Sequence, residues 1–130
     1  MFSDNCQAWV HGPVYAEIYD MFSSFRYDPI DDPRFELLKR KSTNLDEKER
    51  EVIDLVVNTF GMYGGKVLER ITHKEDPWIN AREGYSENEP SQEEISKEAI
   101  KEYFVSVREK YDLNTETGIM DYIHNMLASA

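Results

Sequence analysis

Three histidines, one cysteine and a surplus of carboxylates are the side chains of this 130-residue chain with the means to do chemistry. His11, His73 and His124 would supply nitrogen ligands to a metal, but no two of them share a ligand spacing such as the i, i+4 pair of a zinc-protease helix. A single cysteine, Cys6, excludes a cysteine-rich zinc site and an internal disulfide, and it fits a reducing compartment. Beside Ala8 and Trp9 it reads as a small core residue. His73, next to Thr72, Glu75 and Asp76, is of the type used as a general base, and Cys6 with His73 are the types of a nucleophile and its base. Neither arrangement has a local motif behind it. A histidine bonding free carbonyls at a helix end, with Trp78 sealing the turn, accounts for the same residues without catalysis. Gly61, Gly64 and Gly65 lack the Gly-Lys-Ser or Gly-Lys-Thr ending of a phosphate loop, and Gly65-Lys66-Val67 is a near miss. The expectation is a non-enzyme with no catalytic residue, no cofactor and no metal.

Charge narrows the partners. Lys and Arg number 15 against 26 Asp and Glu, a formal net charge of −11. Nucleic-acid affinity comes mainly from cations displacing condensed counterions, so direct DNA or RNA binding is disfavoured and a basic protein is the more physical partner. Between Glu83 and Glu102, seven glutamates (Glu83, Glu87, Glu89, Glu93, Glu94, Glu98, Glu102) face only Lys97 and Lys101. That band is either a solvated loop and helix face or an acidic stripe that meets a partner. No run approaches the ~18–20 apolar residues of a membrane span, and Met1-Phe2-Ser3-Asp4-Asn5 is unlike a signal peptide, so a cytoplasmic location is expected. With 40% apolar and 12% aromatic residues the chain has the means to bury a core.

Periodicity assigns the positioning of these residues to helices. After His11-Gly12-Pro13, apolar residues recur at Val14, Ile18, Phe22 and Phe25, which predicts a helix beginning near Pro13, whose missing N–H would have no partner in a first turn. Asp28-Pro29-Ile30-Asp31-Asp32-Pro33 reads as a loop, and a short element is expected at Phe35, Leu37 and Leu38. Asn44 is the candidate N-cap of a helix whose apolar face is Val52, Ile53, Val56, Val57 and Phe60 and which ends at Gly61. Val67, Leu68 and Ile71 predict a brief helix that stops before Pro77, leaving Trp78 in a turn. Ser91 with Glu94 forms a capping-box pattern ahead of the stripe Ile95, Ala99, Ile100, Tyr103, Phe104 and Val107. After a break around Asn114 to Gly118, Ile119, Ile123 and Met126 or Leu127 predict a short tail helix. The fold class expected is all-α, a compact single-domain bundle of about five helices, with residues 1–111 as the main helical domain and 112–130 as a tail.

Two blocks carry more than periodicity: Ala8-Trp9-Val10-His11-Gly12-Pro13-Val14 with Tyr19 shortly after, and Leu68-x-x-Ile71-Thr72-His73-Lys74-Glu75-Asp76-Pro77-Trp78 with Ala81-Arg82. In that order, separated by an acidic-capped helix ending in Phe60-Gly61, they resemble the Panacea domain, the SocA-like antitoxin or phage-associated-protein family. The resemblance runs from about Cys6 to Phe104. It implies an all-helical, non-enzymatic cytoplasmic protein of bacteria or phages that neutralises a neighbouring toxin by forming a protein complex. The family's namesake acts as an adaptor to an ATP-dependent protease. The family motif maps onto Trp9, Gly12, Pro13, Val14, Thr72, His73, Pro77 and Trp78, with His11 in the same block, and most of these read as fold-defining. Family members usually open with a further helix rich in Leu and Tyr, whereas this chain starts almost at the first block. The expectation is an apolar groove filled by a second copy or by the tail helix at Ile119 to Leu127.

Two functions from different classes follow. The first is an antitoxin that sets acidic surface against a toxin's basic patches, and Leu127-Ala128-Ser129-Ala130 would suit recognition by an unfolding protease. The alternative is a phage or mobile-element protein that mimics DNA charge to block a host nucleic-acid enzyme, which would need carboxylates in two phosphate-like rows. A small hydrolase using His73 is a distant third.

Overall fold

A computed structural model describes residues 4–30, 36 and 44–129. The chain opens with a hairpin, β1 (Cys6–Trp9) and β2 (Gly12–Tyr15), then runs through α1 (Ala16–Phe22) and a 3-10 turn (Ser23–Phe25). Further along the chain come α2 (Glu47–Phe60), α3 (Gly65–Thr72), α4 (Asp76–Ala81), the two-residue strand β3 (Glu94–Ile95), α5 (Lys97–Arg108) and α6 (Glu116–Ala128). The expectation of an all-α bundle is therefore wrong. Among the described residues, the six α-helices just given accompany a three-stranded antiparallel sheet of order β2-β1-β3.

The physical reason lies in Gly12-Pro13. Trp9 pairs with Gly12 across the two-residue turn Val10-His11, and Ala8 pairs with Pro13. Ala8 N–H points away from β2, to Glu93 O at 2.8 Å. By the antiparallel alternation, the position opposite Ala8 also points outward, to the free edge of the sheet. Proline there removes a donor that nothing inside the sheet needs and blunts the edge against pairing with another chain. Pro13 thus serves an edge strand rather than a first helical turn, and the helix begins three residues later at Ala16. Gly12 sits at φ +132°, where an L side chain is strained, and a Cβ would come within 3.1 Å of Thr72 Oγ1.

Two small cores result. The helical one is built from Ile71, Val107, Ile119, Tyr122 and Ile123, with Leu55, Phe60, Tyr103 and Phe104 packed around it. The sheet-side one is Cys6, Ala8 and Ile95 under Tyr15, Trp78, Ala81 and Ile100. Helix α6 contributes three of the five buried members of the first core. It makes its closest approach at Gly118, where a Cβ would lie 1.9 Å from Asp112 O. The sequence break there is shorter than expected, because Thr115 caps the helix and Gly118 is already inside it.

Other boundaries shift for local reasons. Helix α2 is capped by Asp46 rather than Asn44, through a complete capping box with Glu49. Its inward face is Leu55, Thr59 and Phe60, while Val52, Val56 and Val57 are exposed. Ser91 Oγ accepts from Glu93 N–H in the loop, and Ser96 is the residue that caps α5, accepting from Ala99 N–H. Ser91-x-x-Glu94 thus precedes a strand, not a helix. The short element expected at Phe35, Leu37 and Leu38 lies outside the described residues. Among the described residues, no helix is long and apolar enough to cross a membrane.

Candidate functional site

The two sequence blocks are brought together in space. Block two forms the end of α3, a short turn and α4, with Pro77 buried in the first turn of α4, so Trp78 is helical and does not sit in a turn. Its indole Nε1–H donates to Trp9 O at 2.9 Å, tying α4 to the end of β1. His73 caps α3 and stacks on Trp78 with ring centroids 4.0 Å apart and planes 11° from parallel. Among the described residues the buried His73 Nε2 finds no hydrogen-bond partner, and the contact this imidazole makes with Trp78 is through its ring face. On the other block, His11 Nδ1 lies 3.0 Å from Glu69 Oε1 on α3, and Lys66 Nζ donates to the other oxygen at 3.1 Å. The bonds from His11 and then Lys66 hold the Glu69 carboxyl below the usual carboxylate range.

Arg82, which has no assigned role in the sequence reading, is the centre of this junction. It is 6% exposed. Its guanidinium donates to four carbonyls: Ala8 O at 3.1 Å, Ser86 O at 3.1 Å, Glu87 O at 3.4 Å and Glu89 O at 2.7 Å. The same group stands 5.3 Å from the Trp78 ring centroid and 5.8 Å from that of Tyr85. A buried cation satisfied by carbonyl dipoles and π-faces acts as a staple between the acidic loop and β1. Its sequence signal is faint: an arginine four residues after Trp78, on the same side of a helix.

The reverse face of the turn grips the tail helix. Lys74 Nζ donates to the carbonyls of Met126 and Ser129, and Arg70 reaches Leu127 O at 3.4 Å, so two cations meet the carbonyl-rich end of α6. Tyr122 O–H donates to Glu75 Oε1 at 2.7 Å, and the hydroxyls of Tyr103 and Tyr122 lie 3.0 Å apart. Burial raises the Glu75 carboxyl above its ordinary range, against the opposing pull of the Tyr122 bond. Tyr122 itself is held far above the ordinary tyrosine range, by burial first and by Glu75 next.

Above the hairpin lies a cleft of ≈ 390 Å³, lined by Trp9, Val10, His11, Val14 and Tyr19 on one side and by Pro90, Ser91 and Gln92 on the other. Trp9 and Tyr19 meet edge to face at 5.0 Å and 63°. Trp9 Nε1–H is held by Gln7 Oε1 at 2.8 Å, which fixes the indole while leaving its faces to packing. Of the sequence candidates, Trp9, His11 and Val14 line this cleft. Gly12, Thr72, His73, Pro77 and Trp78 lie in the junction behind it, and Pro13 lies on the strand edge.

A nucleophile–base pair is not formed. Cys6 is buried in the sheet-side core, where desolvation raises its thiol pKa against the opposing bonds from the Val14 and Gln7 backbone, and among the described residues it is not bonded to His73 Nε2. His11, His73 and His124 fall on the hairpin turn, the end of α3 and α6 respectively. Among the described residues, no three metal-ligating side chains converge.

A family model described as antitoxin SocA-like, Panacea domain, matches residues 1–79, a span that covers both sequence blocks through Trp78. No curated protein matches the chain significantly, and no solved structure does.

Proposed function

Because the chain belongs to the Panacea-domain family of SocA-like antitoxins, we propose that it neutralises a cognate toxin by direct protein–protein binding, with no reaction of its own. The observation that carries this reading is the apolar cleft at Trp9, Val14 and Tyr19, set directly on the family motif and bordered by the acidic loop. Interfaces that hold proteins together combine an aromatic, desolvated centre with a polar rim, and this face has both parts. The buried junction behind the cleft keeps that face rigid, so little ordering entropy opposes association.

Co-expression of the chain with the product of the neighbouring reading frame tests the proposal. Rescue of growth together with co-purification is the expected result; failure of both sinks it. In the same strain, the toxin's half-life with and without the chain separates simple sequestration from hand-over to an ATP-dependent protease.

A further inference from the structure

The cleft has two walls of different origin. Trp9, Val14 and Tyr19 come from residues within the family match, whereas Pro90, Ser91 and Gln92 come from the loop beyond it. That second wall belongs to a segment, Glu83 to Ser96, that carries Glu83, Glu87, Glu89, Glu93 and Glu94 and no lysine or arginine. Arg82 precedes this segment, and its donors are directed to backbone carbonyls; Lys97 follows it and donates to Asp4 O at 2.8 Å. The carboxylates of Glu89 and Glu93 accept from neutral donors, Ser86 and the Tyr85 hydroxyl. Glu17 and Asp20 flank Tyr19 on α1, where no basic residue accompanies them.

We propose that this cleft receives an arginine side chain from a basic segment of the partner. The assignment rests on the antitoxin reading for its biological setting, but the chemistry is local. An arginine has an apolar stem to lie along Val14 and Pro90 and a planar, weakly hydrated guanidinium to stack on Trp9 or Tyr19. Glu89, Glu93 and Asp20, next in sequence to the lining residues Pro90, Gln92 and Tyr19, supply the long-range attraction. A purely apolar anchor would fill the floor and leave the rim unused, and a lysine would present a compact, strongly hydrated charge that stacks less well. The family-derived wall would then supply the stacking surface, and the loop wall would supply the preference for a cation.

Titration of the isotope-labelled full chain with N-acetyl-arginine amide, followed by NMR at the amides of Trp9, Val14 and Gln92, tests this directly. N-acetyl-citrulline amide and N-acetyl-norleucine amide serve as shape-matched and apolar controls. Saturable shifts at those amides are expected with the arginine probe, with affinity at least fivefold above both controls and lost in Tyr19→Ala. A Glu89→Gln, Glu93→Gln double variant should weaken arginine binding and leave norleucine unchanged. Equal affinity for norleucine and arginine, absence of saturable shifts, or indifference to Tyr19→Ala would overturn the assignment. The probes require no toxin. A toxin complex that survives Tyr19→Ala undiminished would remove the cleft from the interface and leave the antitoxin reading standing.

Discussion

The junction around Trp78 and the arm formed by α1 and its 3-10 turn are both rich in aromatic and aliphatic side chains, and the protein treats them in opposite ways. In the junction, Trp78, His73 and Arg82 are stacked or bonded, and the two cores meet across it. On the arm, Ile18, Tyr19 and Met21 are exposed, α1 has no buried residue and Phe25 alone turns inward from the 3-10 turn. The difference teaches where the family motif works. Its second block holds the fold together by satisfying polar groups in the interior, while the arm beside its first block leaves apolar surface facing outward, as the proposed partner contact requires.

That contrast makes a graded set of predictions. Arg82→Ala strips four carbonyls of their donor and should cost roughly 3 kcal/mol or more in urea unfolding; Arg82→Lys should recover only part of it, since an ammonium cannot span the same fork. A loss below about 1 kcal/mol would mean that the junction is no staple. Gly12→Ala should cost about 1–3 kcal/mol, through its φ of +132° and the close approach of Thr72.

Opposite pH signs are expected from two glutamates on the two faces of the same turn. Glu75 has a raised folded-state pKa, so the folded state binds its proton more tightly. Its contribution therefore falls as pH rises from the unfolded value near 4.5 through the folded one. Glu69 has a lowered folded-state pKa, so its contribution is present above 4.5 and is lost as pH falls through the folded value. Glu75→Gln should flatten the upper part of the stability–pH profile and leave the acid limb alone, and Glu69→Gln should do the reverse. A single profile shared by both variants would break the assignment. The smallest stability effect belongs to the arm: Ile18→Ser and Met21→Ser should change unfolding free energy by about 0.5 kcal/mol or less, yet weaken toxin co-purification. A large destabilisation would show that the arm is part of the fold after all.

Much of the helical half was legible because its signals are local. Gly61 ends α2, and Ile71, Val107, Ile119 and Ile123 recur at helical spacing on the elements whose core they build, although the cap of α2 is Asp46 and not the expected Asn44. The sheet was not legible for the opposite reason. Cys6 to Trp9 is only four residues long, β3 is two, and neither is rich in β-branched residues, so their pairing exists only through contacts between the two ends of the chain. Pro13 misled because a proline is equally at home in a first helical turn and on a strand edge, and only the neighbouring strand separates the two. On α2, Val52, Val56 and Val57 share the apolar type of a core stripe; the direction in which Leu55 and Thr59 face, set by α6, put them outside. Of the candidate site, the motif residues were readable, Glu75 and Arg82 among them, whereas the roles of those two were not, because a buried charge is recognised by the carbonyls and hydroxyls that surround it.

The sequence by itself determined the charge and the family, since motif order and composition are properties of the chain alone. Only the tertiary structure decided that Gly12-Pro13 closes a strand pair, that Trp78 and Arg82 bind β1 to the acidic loop, and that Trp9 and Tyr19 form a cleft beside that loop. Each of those depends on backbone carbonyls and ring faces contributed by residues far apart in sequence, and no local pattern encodes which distant groups will meet.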